Sequence, residues 1–202
     1  MIQEEFSRYQ GFVVISERNL MPIIATWLSF MIENLTKPVI LTGGLLNIDN
    51  PNCDILPNII EASYFAGNFE IPELCVYNCK KLFRGNRSII TNKNKINGVG
   101  SPNYEPIGTM DIECEVNWDM ILPRLRKSNL LVNKEYDTRI GLIYMTPDPN
   151  RAYIDLVFGE KQPFKIVIIE AFGAGNLPSD DTYFITKMKK AIENGLIVLF
   201  ST

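Results

Sequence analysis

The sequence predicts an α/β fold built on a wound, mainly parallel sheet. Three observations carry the prediction. Residues 11–43, GFVVISERNLMPIIATWLSFMIENLTKPVILTG, pass from a β-branched apolar run through a helix-patterned segment into a second apolar run, the order of a β-α-β unit. A second such order opens at Arg139. Elsewhere, short apolar runs alternate with helical periods, as crossover helices on a sheet require. With 202 residues, the chain can bury a good core in one or two domains.

Taken in order, residues 2–10 read as the end of a helix that leads into strand Gly11 to Ile15. Pro22 to Leu35 reads as a helix, with Ile23, Ile24, Trp27, Leu28, Phe30 and Met31 recurring every three to four residues. Pro38 to Leu41 is the next strand, stopped by Thr42-Gly43-Gly44. Leu45 to Pro57 has loop composition, and Asn58 to Gly67 is a second helix ending at a glycine. Glu73 to Tyr77 and Lys81 to Phe83 are short strands around an Asn78-Cys79-Lys80 turn. Pro106 to Asp137 has no clear period and reads as a connector with strands near Asp111 to Val116 and Asn129 to Val132. Arg139 to Thr146, Asn150 to Phe158 and Lys165 to Glu170 form the second strand-helix-strand order. Asp180 to Asn194 is an amphipathic helix with Phe184, Ile185, Met188 and Ile192 on one face, and Gly195 caps it before strand Leu196 to Phe200.

Composition narrows the function classes. Lysine and arginine (20) are outnumbered by aspartate and glutamate (23), which argues against a nucleic-acid binder. Lys93 and Lys95, set among asparagines, read as a solvated loop. No apolar stretch reaches membrane-spanning length, and MIQEEFSRYQ lacks a basic leader, so the expected location is cytoplasmic. Cys53, Cys75, Cys79 and Cys114 form no C-x-x-C pair and read as reduced structural thiols; neither a metal site nor a cofactor is expected. The chain has no histidine, which removes Ser-His-Asp and Cys-His triads and the usual general base near neutral pH.

Several stretches in series resemble the type I (cytosolic) L-asparaginase family. The family's run from GFVV, through a His-Gly-Thr-Asp-Thr-Met turn, to its LSFM-ENL-KPVI-TG segment is matched by Gly11 to Gly43. RGNR at Arg84 to Arg87, SPN at Ser101 to Asn103 and GAGN-P at Gly173 to Pro178 follow in the family order. The resemblance implies an asparaginase-like α/β fold: an incomplete N-terminal wound-sheet lobe over residues 1–110, a connector over 111–137, and the first half of a smaller C-terminal α/β lobe over 138–202. On this reading the chain is shortened at both ends, and the family's first strand with its threonine-bearing turn precedes its start.

The resemblance also locates the chemistry. The family hydrolyses L-asparagine through a threonine nucleophile, which must be deprotonated by a base within hydrogen-bond reach. Arg18 and Asn19 stand at the family's Thr-Asp pair, Ile90 at its activating lysine, and Ser16 at its histidine. An arginine keeps its proton, an asparagine cannot accept one, and isoleucine has no titratable atom. Asn176 stands where the family's asparagine reaches the substrate's amino group, with the plainer role of a polar turn residue beside Gly173 and Gly175. Glu17 and Arg18 are expected to pair with each other, with Ser16 or Asn19 capping the following helix. The leading expectation is a catalytically degenerate protein that binds a protein partner or forms a homo-oligomer. The alternative is an amidohydrolase acting on L-asparagine, with Thr42, Thr91 or Ser101 as nucleophile and Lys93 as base.

Overall fold

The computed structural model describes residues 1–123, 129–160, 162–178 and 180–202. It divides into two units, Met1–Lys134 and Glu135–Thr202, within the segment expected as a connector, of which residues 124–128 lie outside the described residues.

The first unit begins with α1 (Ile2–Glu5), β1 (Phe12–Ile15), α2 (Met21–Met31) and β2 (Ile32–Glu33). β3 (Val39–Thr42), α3 (Ile55–Asn68), β4 (Leu74–Asn78) and β5 (Lys81–Arg84) follow. Short strands β6 (Ile89–Ile90), β7 (Val99–Gly100), β8 (Gly108–Met110), β9 (Cys114–Val116) and β10 (Leu131–Val132) complete it. Six strands form one sheet in the order β1-β3-β4-β5-β8-β9. The first three run parallel, and the rest continue antiparallel.

Helices on both faces explain why the central strands read as continuous apolar runs rather than alternating ones. Met21 and Ala25 of α2 pack with Val39, Leu41, Leu74 and Val76 on one face. Ala62, Phe65 and Ala66 of α3 pack with Ile40, Cys75 and Tyr77 on the other. Two expectations need correction. The helix expected to run to Leu35 stops at Met31, because β-branched Ile32 turns extended and pairs with Val132, and Asn34 takes φ +62. The apolar positions of α2 also do not form one buried stripe: Ile23, Trp27 and Phe30 are exposed, while Met21, Pro22 and Ala25 are buried.

The second unit holds β11 (Ile140–Tyr144), α4 (Arg151–Phe158), β12 (Ile166–Glu170), α5 (Thr182–Glu193) and β13 (Ile197–Ser201). The three strands are parallel and adjacent in chain order. Asn150 caps α4 by accepting from the Ala152 and Tyr153 amides, and Asp181 caps α5 by accepting from Phe184. Ile154, Val157, Phe158, Phe184, Met188 and Ala191 from the two helices close over Ile143, Val167 and Ile169. Ile140, Leu142 and Tyr144 alternate to the other face and are exposed, as are Ile197 and Leu199 at the far edge. As expected, Phe184 and Met188 are buried; Ile192 lies nearly half exposed.

Candidate functional site

In-register pairing puts the carboxyl ends of three parallel strands side by side: Ile15 opposite Thr42, and Thr42 opposite Tyr77. The segments that leave these ends are Ser16 to Asn19, Gly43-Gly44, and the turn from Asn78 to Lys80. Such a row is where an open α/β sheet holds its ligands.

The three exits are tied together by one close backbone approach and by side chains at the start of α3. A Cβ on Gly43 would lie 2.1 Å from the Ser16 carbonyl oxygen, so only glycine lets these two exits cross this closely. Asp54, just before α3, accepts from the Leu45 and Leu46 amides at 2.9–3.0 Å and closes the next turn. The buried Asn58 side chain donates to the Gly43 carbonyl at 2.8 Å and accepts from the Cys79 amide at 3.0 Å, joining the second exit to the third. From α3, Glu61 also accepts from the Tyr77 hydroxyl (2.7 Å) and from Lys80 (2.6 Å). Burial is the largest influence on the Tyr77 phenol, and with the Glu61 carboxylate it pushes the phenol well above its ordinary range.

Arg18 departs from expectation. It does not pair with Glu17; only 2 % exposed, it reaches inward and donates from Nη1 and Nη2 to the backbone carbonyls of Lys95 and Lys93. Glu17 instead accepts from Asn19 Nδ2 at 3.1 Å on the surface. Leu20 occupies the cap position of α2 without a side-chain cap, so neither Ser16 nor Asn19 serves there; Ser16 Oγ donates to the Glu17 carbonyl at 3.4 Å. Gly98 completes the arrangement: a Cβ there would lie 1.8 Å from the Asn92 carbonyl oxygen and 2.8 Å from Arg18 Nη1. The guanidinium also bears on Cys79: burial pushes that thiol up, Asp54 adds to the rise and Arg18 opposes it.

Ile90 is half-buried, pairs with Val99 across the β6-β7 ladder and packs against the α2-side core. Thr42 is fully buried, with its hydroxyl donating to the Tyr77 carbonyl at 3.0 Å. The Thr91 hydroxyl donates to the Gly98 carbonyl at 3.2 Å. Ser101 Oγ is buried and has no hydrogen-bond partner among the described residues, and Lys93 is exposed. In the second unit, Asn176 lies on the exposed loop after β12, where its carbonyl accepts from the Phe172 amide and Gly175 takes φ +77. Sequence reasoning missed Asn58 and Gly98; the Asn97-Gly98 dipeptide was the available turn signal for the second.

Residues 1–122 match the family described as Asparaginase, N-terminal. The chain belongs to this family. Across 199 residues it is 35 % identical to an L-asparaginase of Dirofilaria immitis, covering 98 % of this chain and 33 % of that protein. It is 33 % identical over 201 residues to a 60 kDa lysophospholipase of Mus musculus, covering all of this chain and 35 % of that one. The solved structure of L-asparaginase I from Vibrio cholerae superposes with a TM-score of 0.88 at 30 % identity, covering 100 % of this chain and 61 % of that one. The asparaginase-like α/β fold expected from the sequence is therefore established. The chain spans about a third of the length of the first two relatives. Among the described residues, no helix is long and apolar enough to cross a membrane.

Proposed function

We propose that this chain is a catalytically degenerate asparaginase-family protein that acts as a binding or scaffold subunit of a larger assembly in the cytoplasm. The observation that carries the reading is the use made of positions 18 and 90. Arg18, at the threonine of the family's Thr-Asp pair by resemblance, holds backbone carbonyls of the 93–95 segment, and Ile90, at the lysine position by the same resemblance, fills core. Both side chains are engaged in holding the loop and the interior, and neither can move a proton.

The rival reading, a threonine amidohydrolase acting on L-asparagine, needs a hydroxyl within reach of a base. The Thr42 and Thr91 hydroxyls each donate to a backbone carbonyl, and no described hydrogen bond links Lys93 Nζ to either threonine or to Ser101. The partner element of the proposal draws on the exposed apolar residues of the second unit's sheet and of α2. A protein partner and a second copy of the chain both suit such surfaces.

Ammonia release from L-asparagine by the purified chain tests the reading, with Arg18→Thr, Asn19→Asp, Ile90→Lys as a comparison variant. No release above the uncatalysed background is expected from the unaltered chain. Turnover that Thr91→Ala or Ser101→Ala abolishes would establish the rival.

A further inference from the structure

Beside the strand ends lies a cleft of about 330 Å³. Asn78, Phe83, Val99, Ser101, Pro102 and Pro106 are among the residues that line it. Two of these residues carry buried polar atoms that find no hydrogen-bond partner among the described residues: Nδ2 and Oδ1 of Asn78, and Oγ of Ser101. Asn78 is only 1 % exposed, so bulk water does not serve its amide. Its backbone is fixed as the last residue of β4, paired with Lys81 across the hairpin, and followed by Cys79 and Lys80 at φ +46 and +70. An unpaired buried polar group is costly, and here both ends of one carboxamide find no partner among the described residues, beside a third such group.

We propose that this cleft binds a small planar molecule that presents a hydrogen-bond donor and an acceptor on one edge, of the lactam, imide or pyrimidine type. A primary carboxamide offers N–H and C=O side by side, and a cis-amide edge satisfies both at once. A carboxylate would pair with Nδ2 but turn an oxygen toward Oδ1; an ammonium would do the reverse. A trans peptide unit reaches one of the two. Ser101 Oγ supplies a third polar contact, and Phe83, Val99, Pro102 and Pro106 give the apolar walls against which a ring is held, the usual make-up of a small-molecule site. The amide lies behind the cleft surface, so the wall around it must yield on entry, and a small probe is expected to bind in the millimolar range. No bond is made or broken, so the site is independent of whether the chain hydrolyses anything.

The test uses the full chain with isotope-labelled amides and two probes, 2-pyrrolidinone and N-methyl-2-pyrrolidinone, which differ by the methyl that removes the donor. Saturable shifts of the Asn78 side-chain amide and of Ser101 are expected with the first probe, and binding weaker by about tenfold or more with the second. Asn78→Leu, which keeps size but removes both polar atoms, is expected to erase the difference between the probes, and Ser101→Ala to weaken the first probe several-fold. Equal responses to both probes, or no saturable shift in the millimolar range, would overturn the proposal and leave trapped water as the partner of Asn78. If Asn78→Leu fails to fold, the probe pair on the unaltered chain and on Ser101→Ala decides the matter alone.

Discussion

Arg18 is a charged side chain taken almost wholly out of water, with two backbone carbonyls as its acceptors and no partner for Nε among the described residues. A buried group of this kind is retained only where the structure around it depends on it, because removing either side strands the other. Arg18→Met keeps most of the packing volume while deleting the donors. It is expected to lower stability by about 1–3 kcal/mol and to speed amide exchange across residues 92–98, measured by urea unfolding and by hydrogen exchange. That neither the Arg18 guanidinium nor the Ile90 side chain can take up a proton was legible in the sequence, because it follows from side-chain chemistry alone. The destination of the guanidinium was not. Its acceptors lie 75 and 77 residues away in the chain, and the local alternative, pairing with Glu17, satisfied every rule that reads only neighbours.

Among the elements, the β4-β5 hairpin carries a turn at odds with its residues. Its two central positions, Cys79 and Lys80, both have positive φ, the geometry of a type I′ turn, which favours Asn-Gly. The Asn58 bond to the Cys79 amide helps to hold it. Replacing Cys79-Lys80 with Asn-Gly is expected to raise stability by about 1 kcal/mol, read as a higher urea midpoint with unchanged slope. In the second unit, three carboxylates sit below their ordinary range. Asp137 is held down chiefly by the Arg139 guanidinium, Asp155 by Lys187 and the Tyr183 hydroxyl, and Glu160 by Lys190. A carboxyl lowered in the folded state contributes stability that is present above its unfolded value, about 4, and is lost as pH falls through the lowered folded value. Tertiary signals from this unit are therefore expected to weaken below about pH 4, and less so at high salt, since all three groups are exposed and screened. The longer strands and helices of both units were legible because hydrophobic period and β-branched runs are local signals, whereas the two- and three-residue strands β6, β7 and β8 are too short to carry such a signal. The inward turn after Met31 was not, since Ile32 and Glu33 pair with β10 about a hundred residues on.

Over the whole molecule, each unit has its own core, and each leaves apolar side chains in water: Ile23, Trp27 and Phe30 on α2, and Ile140, Leu142, Tyr144, Ile197 and Leu199 on the second unit's sheet. The asparaginase family was legible because its motifs survive in order, and the exposure was not, because α2 is apolar on every side and its sequence does not say which side faces the sheet. The proposed function has the fold retained while the side chains at positions 18 and 90 serve to hold it together. Intact mass of the chain, acid-quenched during incubation with excess L-asparagine, tests this most directly. A single species at the mass of the unmodified chain is expected at every time point. An aspartyl ester on Thr42, Thr91 or Ser101, accumulating and then decaying, would contradict it.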